Sequence, residues 1–308
     1  MVKTKQANMS SFSDIQIFDR SAFDRRRPRI AKTFHQYDFL HRWSENQIFE
    51  SLTLIKRDFK DILVIGGRYS ANFFEQLQNQ LGEQANIQIY DRDNSFYPKA
   101  PYPIVNGDDE AMPFAYESFD LIISNLNFQG VNDLPGVLIQ LRKTLKADGL
   151  LIGALFGGET LYELRDCLTS AELKLKGGVS PRVHPFATKQ DMGALLQRAG
   201  YALPVIDSDI MTVTYDNMFK LMQDIRGMGE NNIIAERSRK NPGRQLFFDA
   251  AALYADQYCE PGAKRIEASF EIIFVHGWAP DESQQRPLQP GSAAHRLADA
   301  LGSKEEKV

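Results

Sequence analysis

A short apolar run stopped by two glycines, DILVIGG at 61–67, constrains this chain more than any other segment. A continuous apolar stretch of that length, closed by residues that tolerate a sharp turn, suits a strand buried on both faces. Such strands occur in parallel sheets whose faces are covered by helices, so the run predicts neighbours of alternating type. They follow in order. NFFEQLQNQLG reads as a helix ended by Gly82, NIQIYD as a second strand, and SFDLIISNL as a third. LPGVLIQLRKTLKADG has Leu138, Leu141 and Leu145 at i, i+3 and i+7 and reads as a helix closing at Gly149, with LLIGALFGG as the next buried strand. Strands alternating with helices predict an α/β fold with a mostly parallel sheet and helices on both faces.

Flanking segments are less regular. Residues 1 to about 14 are polar, and from Phe18 to about Ile55 apolar residues recur at helical spacing, which gives an N-terminal helical extension over 1–50. The central domain is placed at 51–280, with helical insertions at about 159–187 and 215–260 (ETLYELRDCLTSAELKLK, YDNMFKLMQDIRGMG and GRQLFFDAAALYADQY). KQDMGALLQRAGY reads as a helix leading into another strand, MTVTY as a strand, and SFEIIFVHGWAP as a strand near the end. The segment 281–308, rich in Pro, Gln and charge, is expected to lie outside the core as a flexible tail.

The 308 residues are 43% hydrophobic and 25% charged with a formal net charge of −4, so a sizeable core is expected and a general nucleic-acid binder is not. Arg25, Arg26, Arg27, Arg29 and Lys32 form one basic cluster, read as a solvated helix face or as a docking patch for an acidic partner or a peripheral membrane surface. Two cysteines, Cys167 and Cys259, make no disulfide framework or CxxC motif and fit a reducing compartment. No apolar leader or bilayer-length window is visible, and the expectation is a cytoplasmic protein.

Ligands of open α/β sheets bind beyond the carboxyl ends of the strands. Gly66 and Gly67 follow the first strand there, where glycine permits close backbone approach. Asp91 ends the second strand and could accept both hydroxyls of a ribose. Asp108 and Asp109 precede the third strand, within reach of an adenine amino group, and Asn125 just past it would face the same crevice. Each feature alone also reads as turn punctuation or a solvated loop; order and spacing together favour an adenosyl ligand, S-adenosyl-L-methionine (SAM).

The segments FDLIISNLNFQGVNDLP, LKADGLLIGALFGGETLYELR, SPRVHPFATKQDMGALLQRAGY and LMQDIRGMGENN resemble those of the mitochondrial respiratory complex I assembly factors with a methyltransferase fold. IFDRSAFDRRRPR at the front and GWAPDESQQRPLQPGSA at the back resemble their bacterial relatives. The malonyl-acyl-carrier-protein O-methyltransferases of biotin synthesis are similar at a greater distance. The resemblance implies a seven-stranded, Rossmann-like class I SAM-dependent methyltransferase fold, and for the assembly factors arginine hydroxylation of a complex I subunit. The chain departs from active methyltransferases in its glycine loop. Where their pattern is D-x-G-x-G-x-G, this sequence has Val64, Ile65, Gly66, Gly67, Arg68, Tyr69 and Ser70. Where the family carries a His-Trp pair, Gln129 and Gly130 stand.

Methyl transfer is an in-line displacement that needs alignment more than a fixed catalytic signature, and no catalytic residue is assigned. Tyr162 and Arg165, after the last central strand, and His184, between stiffening prolines, are candidates to face a protein or small-molecule acceptor. Core packing or exposure accounts for Tyr162 and His184 as well. The aromatics Phe34, Tyr37, Phe39 and Trp43 are read as core or as a lid. The five histidines lack the spacing of a 2-His-1-carboxylate site, and no metal is expected. The leading expectation is a SAM-dependent methyltransferase, with a complex I subunit as one possible acceptor. A non-methylating assembly factor with a degenerate pocket is the alternative, hydroxylase-like or acting as a docking chaperone. A dinucleotide oxidoreductase is disfavoured by the missing G-x-G-x-x-G.

Overall fold

A computed structural model describes residues 16–259, 262 and 264–285. The expectations for the polar N-terminus and for the tail beyond residue 285 lie outside the described residues. Seven strands form one sheet in the order β3-β2-β1-β4-β5-β7-β6. Strands β1 (Asp61–Ile65), β2 (Asn86–Asp91), β3 (Ile104–Asn106), β4 (Phe119–Asn125) and β5 (Leu145–Phe156) pair in parallel. Strand β7 (Ile266–Trp278) inserts antiparallel between β5 and β6 (Ala202–Tyr215). This is the mostly parallel, Rossmann-like architecture of class I methyltransferases.

Strand periodicity splits the core in two. Ile62 and Val64 of β1 face one layer with Ile48 and Leu52 of α3 (Phe39–Leu54) and Phe73 and Leu77 of α4 (Phe73–Leu81). Leu63 and Ile65 face the other, with Val137, Leu138 and Leu141 of α5 (Leu134–Thr144) and Met192 and Leu196 of α7 (Lys189–Ala199). Helices α6 (Tyr162–Lys176), α8 (Met218–Met228) and α9 (Arg244–Gln257) cover the first layer towards β7. The edge strand β6 alternates half-buried and exposed residues and slips register around Pro204, as a strand with one solvated face tolerates. Among the described residues, no helix is long and apolar enough to cross a membrane.

Three local readings change. The helix expected to close at Gly149 ends at Thr144, and Leu145 opens β5 opposite Phe119. The Glu117 and Ser118 amides bond the Lys143 and Thr144 carbonyls at 3.0 and 2.8 Å, so pairing takes over while the apolar period still holds. Strand β3, three residues long and preceded by Pro103, is an element the sequence pattern does not predict. The segment 18–55 is broken into α1 (Arg20–Asp24), α2 (Arg27–Ala31), a 3-10 turn at 34–36 and α3; Pro28, in the first turn of α2, accounts for the break between α1 and α2. Helix α3 runs across residue 50, so extension and sheet domain share it.

Candidate functional site

Gly66 continues the β1 ladder, its amide bonding the Tyr90 carbonyl at 2.8 Å, and then turns at φ +94°, the left-handed region glycine enters without strain. A Cβ at Gly67 would run into the Asp91 carboxylate and the Phe96 side chain. The sheet thus brings Gly66, Gly67 and Asp91 together, with Asp108 and Asp109 beside them: Gly107 bonds the Asp91 carbonyl at 3.0 Å. Five of the six residues expected from spacing to meet a cofactor therefore lie together, and Asn125 does not join them.

What occupies it was not anticipated. The Arg27 guanidinium, 1% exposed, bonds Asp91 directly and lies 3.2 Å from Asp93. It is held between the Phe23 and Phe96 rings at 5.5 and 5.0 Å. Arg20 reaches Asp108 at 2.6 Å, Asp109 at 3.1 Å and Glu110 at 3.0 Å. Arg92 pairs with Asp24 at 2.5 Å. Burial lifts the Asp91 carboxyl to about 6 against the pull of Arg27, and burial likewise raises Asp109. In Asp108, burial is outweighed by the Glu110 amide and Arg20, which hold the carboxyl down.

The substituted glycine loop splits its two bulky residues. Tyr69 turns into the core, 2% exposed, its hydroxyl donating to the Ile65 carbonyl at 2.9 Å and accepting from the Asn125 amide at 3.2 Å. Arg68 crosses the crevice instead. It donates to the Leu126 carbonyl at 2.6 Å and the Met228 carbonyl at 3.1 Å, and pairs with Glu230. Leu126 itself holds φ +45° at 0% exposure, a costly backbone for leucine fixed by its amide bond to Ala154 at 2.8 Å. Gln129 spans the Leu126 carbonyl at 2.8 Å and Glu230 at 2.9 Å, completing the closure.

The space left among Arg20, Phe23, Arg68, Asp109, Gln129 and Glu230 is a cavity of about 30 Å³. That holds roughly two waters, whereas nucleotide-sized ligands use pockets of several hundred Å³. The fold family implies SAM, and the residues divide on whether they fit it. At the adenine end they do, since Asp109 keeps one buried carboxylate oxygen without a hydrogen-bond partner. Arg27 takes the Asp91 acceptor expected to meet a ribose, and Arg68 crosses the space beyond the substituted glycine loop. The whole cofactor does not fit this arrangement.

A second cavity of about 200 Å³ adjoins the first and shares His184 and Glu230 with it. Leu164, Phe186, Met222 and Phe247 are among its apolar walls, and Arg226 stands at its polar margin. Sequence reasoning missed this cavity, because its walls come from α6, α8, α9 and the 182–186 loop, whose apolar spacing reads simply as core.

Other expected site residues fall elsewhere. Asn125 does not present its amide to the crevice: it accepts from the Ser44 hydroxyl at 2.6 Å and donates to the His41 carbonyl at 3.1 Å. Tyr162 is 41% exposed against Tyr258, and Arg165 bonds the Thr160 carbonyl at 3.1 Å; neither lines the two cavities. His184 lines both, yet its Nε2 accepts the Ile233 amide at 3.0 Å, and burial lowers its pKa. It is a neutral, structurally committed imidazole. Of the aromatics read as core or as a lid, Phe34 packs against His41 and Phe96, and Trp43 against Phe274, the core alternative. The closure is made by arginines, and of the basic cluster Arg27 is the member turned inward.

Residues 61–153 match the family model of a methyltransferase domain. An arginine-hydroxylase NDUFAF5, mitochondrial, from Danio rerio is 34% identical over 298 residues, 95% of this chain and 92% of that protein. The Dictyostelium discoideum protein of the same name is 46% identical over 187 residues, which span 61% of this chain and 43% of its own length. A malonyl-[acyl-carrier protein] O-methyltransferase of Xylella fastidiosa (strain M23) is 35% identical over 58% of each chain. Among solved structures, the YcgJ protein of Bacillus subtilis superposes with a TM-score of 0.53 at 11% identity, over 78% of this chain and 100% of that one, and so shares the fold. These relatives overturn the cytoplasmic expectation, since those covering nearly all of this chain are named as mitochondrial. Two cysteines without a CxxC motif fit any reducing compartment, so composition could not distinguish among them.

Proposed function

We propose, from the premise that this chain belongs to the family of the mitochondrial arginine-hydroxylase NDUFAF5, that it serves respiratory complex I assembly as a partner-binding protein. In this reading its crevice is shut to SAM in the resting form. The observation that carries the reading is Arg68, which crosses the crevice beyond the glycine loop to the Leu126 and Met228 carbonyls and Glu230. With Arg27 on Asp91, the acid expected to meet a ribose, the two side chains take up an acceptor and space that a cofactor would need. An arginine bonded to fixed protein acceptors is not displaced cheaply, because breaking one partner of a buried ion pair costs about 3–5 kcal/mol. A ligand would have to supply that before gaining anything.

Calorimetric titration of the purified wild-type protein with SAM and with S-adenosylhomocysteine tests the reading. Flat titrations up to millimolar ligand are expected. Saturable binding with a Kd below about 100 μM, roughly 5.5 kcal/mol, would overturn it and support the second reading. That second reading is methyl transfer through a crevice that opens on binding a partner; the unpartnered Asp109 oxygen at the adenine position favours it.

A further inference from the structure

The cavity of about 200 Å³ beside the crevice is walled mainly by hydrocarbon. Leu164 of α6, Met222 and Ile225 of α8, Phe247 of α9 and Phe186 of the 182–186 loop supply it, and Phe156 packs against Phe186 at 5.8 Å. Native interiors leave few voids larger than a water. An apolar cavity of about 150 Å³ stays dry and accepts benzene, so this one has room for roughly eight non-hydrogen atoms.

Most polar groups on its lining are already committed. Arg182 donates to both Glu172 oxygens at 2.9 and 2.5 Å. Asn232 donates to the Pro181 carbonyl at 2.9 Å, and His184 accepts the Ile233 amide at 3.0 Å. Glu230, the one carboxylate in the lining, is neutralised by Arg68. Two donors are left over. The Asn231 side-chain nitrogen is buried with no hydrogen-bond partner, a costly state that only an incoming acceptor relieves. Arg226, exposed at the margin, has no carboxylate within ion-pair distance among the described residues. It also borders a surface groove with Arg29, which is exposed and likewise without a carboxylate partner among the described residues. Hydrocarbon inside, a spare amide donor and uncompensated positive charge at the rim call for an apolar body that carries an anionic oxygen.

We infer that this cavity binds a small monocarboxylate with an apolar tail. The tail fills the chamber, and the carboxylate accepts from the Asn231 amide and pairs with Arg226, a planar fork suited to two carboxylate oxygens. An ammonium on the same tail would meet a donor and a guanidinium, with nothing to accept its protons. The site lies beyond the crevice that Arg68 closes and adds a small-molecule ligand to a protein read above as binding a partner.

Calorimetry and thermal unfolding of the full chain with octanoate test this, with octylammonium as the charge control and acetate as the tail control. Octanoate should bind with a Kd on the order of 100 μM, ordinary for a ligand of about ten non-hydrogen atoms. At about ten times that Kd it should raise Tm by roughly 2 °C. Acetate and octylammonium should do neither. Arg226→Gln, a surface change, should weaken octanoate about fivefold. Met222→Trp, which fills the chamber, should abolish binding; if that variant does not fold, Ile225→Phe obstructs the same space and carries the same expectation. Absence of saturable octanoate binding to wild type overturns the inference. Equal binding of octylammonium overturns it too, and would mark the chamber as a seat for an apolar side chain of a partner. Octanoate binding undiminished by the filled chamber would place it on the outer surface, with the same consequence. Failure of the closed-crevice reading appears separately, as SAM binding by wild type.

Discussion

Removing Arg68 should destabilise the protein markedly, by an amount the structure allows to be worked out. The side chain is 5% exposed and makes three polar contacts, to the Leu126 carbonyl, the Met228 carbonyl and the Glu230 carboxylate, besides lying 5.5 Å from the Phe23 ring. Truncation to alanine does not orphan all three acceptors equally. The Gln129 amide also donates to the Leu126 carbonyl and to Glu230, at 2.8 and 2.9 Å, so both keep one partner. What is lost outright is the charge that compensates Glu230, itself little exposed. Leaving a buried carboxylate without its cation costs about 3–5 kcal/mol, and the remaining amide bond puts Arg68→Ala near the lower end, about 3 kcal/mol. The double variant Arg68→Ala/Glu230→Gln should recover part of this, since the charge needing compensation is gone. Chemical denaturation of wild type, both single variants and the double variant gives the coupling directly. A loss below about 1 kcal/mol for Arg68→Ala, or strictly additive effects, would refute the argument, because Arg68 would then be a loosely placed side chain able to swing clear of a cofactor.

Glu45 and His41 on α3 give two further tests. Burial pushes the Glu45 carboxyl from an ordinary 4.5 up to about 7, while its bond to the Ser70 amide at 2.9 Å works in the opposite direction. The folded protein therefore binds a proton more tightly than the unfolded chain. The stability this contributes is complete below about pH 4.5 and is lost as pH rises through about 7, a difference of up to roughly 3 kcal/mol. Glu45→Gln keeps an acceptor for Ser70 and should flatten that part of the stability–pH curve; an unchanged curve in urea melts from pH 4 to 8 would contradict the assignment. His41 is fully buried with neither ring nitrogen hydrogen-bonded, and burial holds it well below its usual pKa. Exchanging these unsatisfied atoms for hydrocarbon, His41→Leu, should stabilise by about 1–3 kcal/mol, read as a higher Tm. A lower one would show that the imidazole has a partner.

The alternation of short apolar runs with amphipathic segments was enough, taken alone, to give the parallel centre of the sheet (β1, β2, β4 and β5) and helices on both its faces, because strand and helix periods are local properties of the chain. The same holds for Gly66, Gly67, Asp91 and Asp109, whose places at strand ends follow from topology. Local pattern failed where long-range pairing decided the outcome. Leu145 fits a helix by spacing and became a strand by facing Phe119, and β3 had no pattern to read. The state of the crevice belongs entirely to tertiary structure. Nothing in RRRPR says that Arg27 alone turns inward to meet Asp91, 64 residues away in sequence, or that Arg68 reaches Glu230 across 162. Ion pairing between distant charges depends on three-dimensional placement and burial, which no periodicity encodes, and in this protein that placement closes a crevice for which the sequence had left both an intact and a degenerate pocket standing.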